Sequence, residues 1–266
     1  RQDSGPGAPL SPMGIYSDPE LYCIAFPPPS AEEIDLVLGA VSEPPRTLLE
    51  PMCGHARTAE GVAARGVRYV GIDASPEMVA RAPERDGITA VVADVRDFDL
   101  GEELPGGFDV AWCPVNSLAH LSSTGDVVSH LEAMRRHAHG GSAYLVELEI
   151  YDREGSTEDA SWSVPHPGGG FVEASWTCGA CDRAARTREE TGAFRHVVEG
   201  EVVAESVERF SMRMWTLGDL VELPREAGWR LDPVCWVNEP GGPGRRAAVG
   251  RHVENSGRNW TFALRA

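Results

Sequence analysis

From Arg46 to Ala82 the chain reads RTLLEPMCGHARTAEGVAARGVRYVGIDASPEMVARA. An apolar strand runs into a turn at Cys53-Gly54, a helix follows, and a second strand closes on the acidic Asp73. This is the first strand–helix–strand unit of a doubly wound parallel sheet. In such sheets the ligand lies outside the carboxyl ends of the strands, beside the first strand where the strand order reverses. The turn can take the polar tail of a nucleotide-like ligand, and Asp73 can accept both hydroxyls of a ribose.

The same punctuation recurs downstream. The stretch ITAVVADVRDF predicts a third strand ending on Asp94. Glu50, Asp73 and Asp94 thus close three successive strands; any one is unremarkable among 41 acidic residues, but together they mark the crevice. GFDVAWCPVNSLAHL predicts a fourth strand leading into a loop, and VVSHLEAMRRHAHGG an amphipathic helix ended by Gly140-Gly141. His130, His137 and His139 read as solvent or cap residues of that helix. GSAYLVELEIYD is the fifth strand, WRLDPVCWVNEP the sixth and NWTFALRA the last, with PGGPGRR as a flexible hairpin connection. TLGDLVELPREAGW reads as a helix interrupted near Pro224. Ser30 before AEE, and Ser75 before Pro76, are helix starts. Between Asp152 and Met214, alternating stretches such as FVEASWTC and ESVERFSMRMW predict antiparallel strands.

These motifs resemble the class I S-adenosylmethionine-dependent methyltransferases of small-molecule type, the glycine and amino-sugar N-methyltransferases among them. The first motif of that family, an acid followed by a Gly-rich turn, corresponds to Glu50-Pro51-Met52-Cys53-Gly54-His55-Ala56-Arg57, and the second to Val70-Gly71-Ile72-Asp73. Met52 and Ala56 stand where the family most often has glycine, leaving Gly54 for the closest backbone approach. The resemblance implies a Rossmann-like α/β fold: a doubly wound, seven-stranded, mostly parallel sheet with an antiparallel β insertion after the fifth strand. Its parts would be a tail and lid segment (1–45), a cofactor domain (46–151 and 216–266) and a β-rich substrate cap (152–215).

It also implies S-adenosylmethionine as cofactor, held by Glu50, Met52, Cys53, Gly54, Arg57, Asp73 and Ala74. Asp94 and Val95 would meet the adenine, and Cys113 and Pro114 would pass the methionyl end. Asn116, Ser117 and His120 would face the acceptor, with His120 as general base, since imidazole can take a proton at neutral pH. Tyr16 and Tyr22 would belong to a lid, where a tyrosine face attracts a sulfonium cation. Trp162, Trp176, Phe194, Arg213 and Trp215 are candidate acceptor-pocket residues; large aromatics fill cores as readily as they line sites.

Charge and composition narrow the partners. A formal net charge of −17 argues against nucleic acid and against an acidic membrane surface. The sequence CPVN also lacks the Asn/Asp-Pro-Pro-aromatic motif of DNA-amine methyltransferases. All 24 basic residues are Arg, which reflects a GC-rich coding bias. No run approaches the roughly 20 apolar residues a membrane span needs, and the start, RQDSGPGAPLSPM, reads as a tail without the apolar centre of a secretory signal. A cytoplasmic protein with a small-molecule acceptor is expected, and homodimer formation stays open. Six scattered cysteines do not make a disulfide framework; Cys178-Gly-Ala-Cys181 has the spacing of half a zinc site without the other half, so no metal is expected and a β-turn is. Two alternatives remain: a noncatalytic scaffold or regulator keeping the fold, and an NAD-dependent oxidoreductase, disfavoured by a turn with too few glycines for a pyrophosphate.

Overall fold

The structure, a computed structural model, describes residues 14–17, 19–151, 159–239, 242–254 and 259–266. The N-terminal tail, residues 1–13, and the start of the segment from 152 lie outside them. In chain order the strands are β1 (Thr47–Pro51), β2 (Arg68–Asp73), β3 (Ile88–Val92), β4 (Phe108–Cys113), β5 (Ala138–Leu148), β6 (Ala160–Pro165), β7 (Phe171–Asp182), β8 (Thr187–Val198), β9 (Glu201–Arg213), β10 (Arg230–Glu239), β11 (Gly242–Ala248) and β12 (Trp260–Arg265). The α-helices are α1 (Glu20–Ala25), α2 (Ala31–Leu38), α3 (Ala59–Ala63), α4 (Pro76–Val79), α5 (Thr124–Arg136) and α6 (Leu217–Glu226).

The main sheet runs β11-β10-β12-β5-β4-β1-β2-β3. Strands β1 to β5 pair in parallel, and β12 lies antiparallel to both β5 and β10. The expected doubly wound sheet is present, with an eighth strand: β11 occupies the PGGPGRR stretch read as a connection, and pairs with β10. The strand order reverses between β1 and β4, which places the crevice at their carboxyl ends.

Alternation along the strands explains the two-sided core, because successive side chains face opposite ways. Leu49, Val70, Ile72, Ala111 and Val146 face a layer that includes Val127 and Leu131 of α5 and Leu220 and Leu223 of α6. Leu48, Tyr69, Val110 and Leu145 face Ile34 and Val37 of α2 and Ala59 and Val62 of α3. Helix α2 starts with the expected cap: the Glu33 amide donates to Ser30 Oγ at 3.2 Å, and the Ser30 amide to Glu33 Oε2 at 2.8 Å. Ser75 caps α4 with its side chain alone, Oγ accepting the Met78 amide at 3.1 Å.

Three local expectations are corrected. Helix α5 stops at Arg136, and Gly140-Gly141 lie inside β5 instead of ending the helix. Helix α6 continues through Pro224, held by a capping box between Thr216 and Asp219 and by burial of Leu220, Leu223 and Pro224. Cys178 and Cys181 belong to β7, flanking a register shift against β8, not to a turn.

Strands β6 to β9 form a separate antiparallel sheet in sequence order. One of its faces is closed by the N-terminal segment, where Ile15, Leu21 and Ala25 pack with Val172, Ala174 and Phe194.

Candidate functional site

At the end of β1 the backbone keeps a glycine-rich conformation although only one glycine remains. Met52, Gly54 and Ala56 have φ of 57°, 55° and 56°, a left-handed region that costs a non-glycine residue roughly 1–2 kcal/mol. Ala56 tolerates this with its methyl buried in the core, and Met52 packs against the core edge. A Cβ added to Gly54 would meet only Met78 Sδ, at 3.9 Å, so this α-carbon faces open space. Asp73 fixes the turn from the neighbouring strand: its Oδ2 accepts the Gly54 amide at 2.8 Å and its Oδ1 the Ser75 amide at 2.9 Å. A carboxylate has about four acceptor positions, so two remain for a ligand's hydroxyls. Ala74 follows, exposed.

Two residues expected in the crevice lie beneath it. Glu50 shares the face of Leu48 and is 2 % exposed; its Oε2 accepts from Tyr69 Oη at 2.7 Å and from Thr58 Oγ1. Burial pushes its pKa up to about 7 against the pull of those hydroxyls. Cys53 turns inward, so close to β2 that a Cβ on Gly71 would lie 2.7 Å from its Sγ. Arg57 donates to the Pro27 carbonyl at 3.0 Å, tying the turn to the N-terminal segment.

Strand β3 ends at Val92, so Asp94 lies in the following loop. Its carboxylate is forked by Arg96, with Nη2 at 2.6 Å and Nε at 2.9 Å, and these bonds draw its pKa down to about 2. Val95 is buried and its carbonyl is bonded to His130 Nδ1 at 3.0 Å. His130 is fully buried, not a solvent or cap residue as its helix chemistry suggested.

Beyond β4 the chain strains again: Val115 and Asn116 have φ of 50° and 59°. For a β-branched residue this is a genuine outlier, of the kind that collects at functional sites. Val115 is held there by its amide, which donates to Glu147 Oε2 at 2.9 Å, and its side chain stays 37 % exposed. Asn116 Oδ1 accepts the Glu149 amide at 3.3 Å, and Ser117 Oγ donates to the Pro114 carbonyl at 2.8 Å, so both polar groups shape the loop. Cys113 and Pro114 are buried, the thiol pushed up to about 12 by desolvation. A single 3₁₀ turn, Ser117–His120, then presents His120.

The N-terminal segment crosses over this point. Tyr16 Oη and His120 Nε2 are 3.1 Å apart. The Tyr16 carbonyl accepts from Ser75 Oγ at 2.9 Å, and its amide reaches Glu208 Oε2 at 3.4 Å, so one residue touches the β2 end, the β4 loop and the cap. Desolvation lowers the His120 pKa below its usual value and raises that of Tyr16 well above 10, so both are neutral at pH 7. Tyr22 joins the same group of rings, edge-on to Tyr16 at 5.6 Å and to His55 at 6.2 Å, and beside Phe194 at 5.5 Å.

The cap contributes Phe210, 5.1 Å from the His120 ring, with Trp176 5.0 Å beyond it. Trp176 Nε1 donates to the buried Glu190, which also pairs with buried Arg188, Nε to Oε1 at 2.9 Å. Arg188 stands over the Tyr151 ring at 5.0 Å. Glu190 is near enough to raise the Tyr16 pKa and to oppose the lowering at His120. The other cap candidates serve the framework: Trp162 Nε1 donates to the Ala25 carbonyl at 2.9 Å, and buried Arg213 lies 3.2 Å from Asp219 and over the buried Trp215 ring. His55, Val115, Glu190, Glu208 and Phe210 were not picked out from sequence. Phe210 alone had a signal, as the inward partner of Met212 in an alternating strand. Two open cavities, of about 680 and 820 Å³, lie near the amino ends of β4 and β5 and share no residue with this crevice.

The sheet order and crevice define the fold of class I methyltransferases. Residues 48–141 match the family model described as a methyltransferase domain. The chain is 30 % identical over 118 residues to the ubiquinone biosynthesis O-methyltransferase of Dechloromonas aromatica (strain RCB). That match covers 43 % of this chain and half the length of the curated relative. Among solved structures it resembles DesVI of Streptomyces venezuelae, with a TM-score of 0.67, 19 % identity and coverage of 94 % of this chain and 91 % of that one. The sugar N-methyltransferase KedS8 from Streptoalloteichus sp ATCC 53650 gives a TM-score of 0.67 at 17 % identity, covering 100 % and 98 %. CalS10, an amino pentose methyltransferase from Micromonospora echinaspora solved with SAM bound, gives 0.63 at 18 %, covering 94 % and 92 %. At these identities the likeness establishes the fold.

Proposed function

We propose that this protein transfers a methyl group from S-adenosylmethionine to nitrogen or oxygen of a small natural-product acceptor in the cytoplasm. The observation that carries this reading is the 3.1 Å contact between Tyr16 and His120, made over a crevice whose floor is the Gly54–Asp73 pairing. When bound, the cofactor supplies an electrophilic methyl on a sulfonium. The open α-carbon of Gly54 lets the backbone approach the cofactor's tail, and the free acceptor positions of Asp73 take its ribose. The backbone at Val95, with Asp94 beside it, borders the adenine. Tyr16 and Tyr22 close the crevice, exclude water and offer ring faces to the sulfonium.

His120 and Tyr16 handle the proton. The phenolic oxygen accepts the acceptor's N–H or O–H while its own proton passes to His120 Nε2, leaving a lone pair in line with the methyl. With the cofactor bound, its sulfur would leave with the carbon–sulfur electron pair as the acceptor's lone pair took the methyl, and the part of these residues is to hold that lone pair in line and carry away the proton. Rings at Tyr16, His120, Phe210 and Trp176, with carboxylates at Glu190 and Glu208, favour an amine. The sequence relative is named for O-methylation and two structural relatives for sugar or amino-sugar methylation, so the test spans both atoms. A methyl-transfer screen over amino sugars, other small amines and phenols should give turnover that His120→Ala suppresses. Binding of S-adenosylhomocysteine with no turnover on any acceptor would favour a noncatalytic role.

A further inference from the structure

Beneath the crevice runs a buried polar chain that no step of the proposed reaction uses. His130 on α5 bonds the Val95 carbonyl through Nδ1 at 3.0 Å and the Tyr144 hydroxyl through Nε2 at 2.9 Å. Tyr144 lies on β5 in register with Ala111 of β4, two positions before Cys113 at the last position of that strand. His130, Tyr144 and Cys113 have no solvent exposure, and Val95 is buried with them.

The direction of each bond follows from the partners. A carbonyl only accepts, so His130 carries its proton on Nδ1 and donates to Val95. A neutral imidazole then has a lone pair at Nε2, which accepts from the Tyr144 hydroxyl. Burial holds His130 neutral, as this arrangement requires. Two bonds aligned in one sense polarise each other in a low-dielectric interior and fix the spacing of the groups they join.

Those groups are the two walls of the crevice. One end is the loop after β3, with Val95 next to Asp94; the other is β5 where Tyr144 stands beside Ala111 of β4, the strand that leads into the loop with the strained Val115-Asn116 pair and His120. An ordinary apolar contact at position 130 would fill space without setting this distance. Three residues separate helix α5 from the 3₁₀ turn that ends at His120, so it also carries the acceptor-side loop.

We infer that His130 and Tyr144 are positioning residues: they lock the adenine-side loop to the acceptor-side loop so that cofactor affinity depends on a link made beneath the site. This rests on the proposed cofactor. The test is calorimetric titration of S-adenosylhomocysteine into wild type, Tyr144→Phe, His130→Asn and the double variant. Tyr144→Phe keeps the ring and loses only the hydroxyl, while His130→Asn keeps an amide near the Nδ1 position to bond Val95 and loses the reach to Tyr144. Each single variant should weaken binding about fivefold, the size expected for one buried hydrogen bond. The double variant should be no weaker than either single one, because both remove the same link.

Hydrogen exchange gives a second readout, one that loss of packing would not move. In wild type the ligand should slow exchange in both 94–98 and 114–121, and in Tyr144→Phe protection of 114–121 should fall away from that of 94–98. Affinities within twofold of wild type in both folded single variants, or losses that multiply in the double variant, would overturn the inference. Failure of wild type to bind S-adenosylhomocysteine would instead contradict the proposed cofactor.

Discussion

The Tyr16 hydroxyl and His120 Nε2 meet at 3.1 Å across 104 positions of sequence, joining the lid to the loop after β4. The pair is neutral and largely desolvated, which suits proton transfer from a bound acceptor at neutral pH. His120→Ala and Tyr16→Phe should each lower kcat by about 10²–10³, within the range of general acid–base catalysis, because the relay needs both groups. Because the His120 pKa lies below its usual 6.5, kcat/KM should rise through an apparent pKa under 6.5 and stay level above pH 7. The raised Tyr16 pKa adds no alkaline limb below pH 10. A pH–rate profile with its rise centred above 7 would remove His120 from this role.

Left-handed backbone at Met52 and Gly54 leads to opposite outcomes. Met52→Gly should relieve strain worth about 1 kcal/mol in denaturant unfolding, offset in part by the side chain's lost packing against the core edge. Gly54→Ala should cost about 1 kcal/mol of stability and also weaken S-adenosylhomocysteine binding, since the new methyl points into the crevice. Equal, neutral behaviour of the two would mean that the turn does not hold its ligand through the backbone.

Glu50 imposes a pH dependence of known sign. Its folded pKa of about 7 exceeds the ordinary 4.5, so its contribution to stability is full below pH 4.5 and is lost as pH rises through 7. Glu50→Gln mimics the protonated carboxyl. Wild-type stability relative to that variant should therefore fall between pH 4.5 and 7.5, by on the order of 3 kcal/mol. His130, lowered to about 4, acts with the opposite sign, losing stability as pH falls through 4, but is common to both proteins. A pH-independent difference would place Glu50 as a carboxylate throughout.

Arg188 and Glu190 form a buried ion pair under the cap. Glu190→Gln leaves the guanidinium without its closest charge partner and should cost about 3–5 kcal/mol in thermal or chemical unfolding. Arg188→Met combined with Glu190→Gln should recover much of that loss. No recovery in the double variant would locate the cost in the Trp176 hydrogen bond instead.

The main sheet was legible because β1 to β5 are continuous apolar runs punctuated by turns, and Asp73 closes β2 as its sequence position implied. The positions of Met52 and Ala56 were legible as departures from glycine, whereas their retained left-handed φ is a property of the turn's hydrogen bonds and not of local preference. Glu50 and Cys53 face inward because the pleat of β1 and the turn direct them there, and a motif does not carry that information. His130 did have a signal: Val127, His130, Leu131 and Met134 follow the helical spacing of a buried stripe, so its place on the apolar face outranked its polarity. The contacts of Glu190 and Glu208 depend on how the cap sheet lies over the crevice, a long-range arrangement with no local pattern.

The most direct measurement of the central claim is calorimetric titration of the wild-type protein with S-adenosylhomocysteine and, separately, with NAD. Saturable one-to-one binding of S-adenosylhomocysteine, lost in Asp73→Ala, with no heat from NAD, is the predicted result. Binding of NAD without S-adenosylhomocysteine, or undiminished S-adenosylhomocysteine affinity in Asp73→Ala, would contradict it.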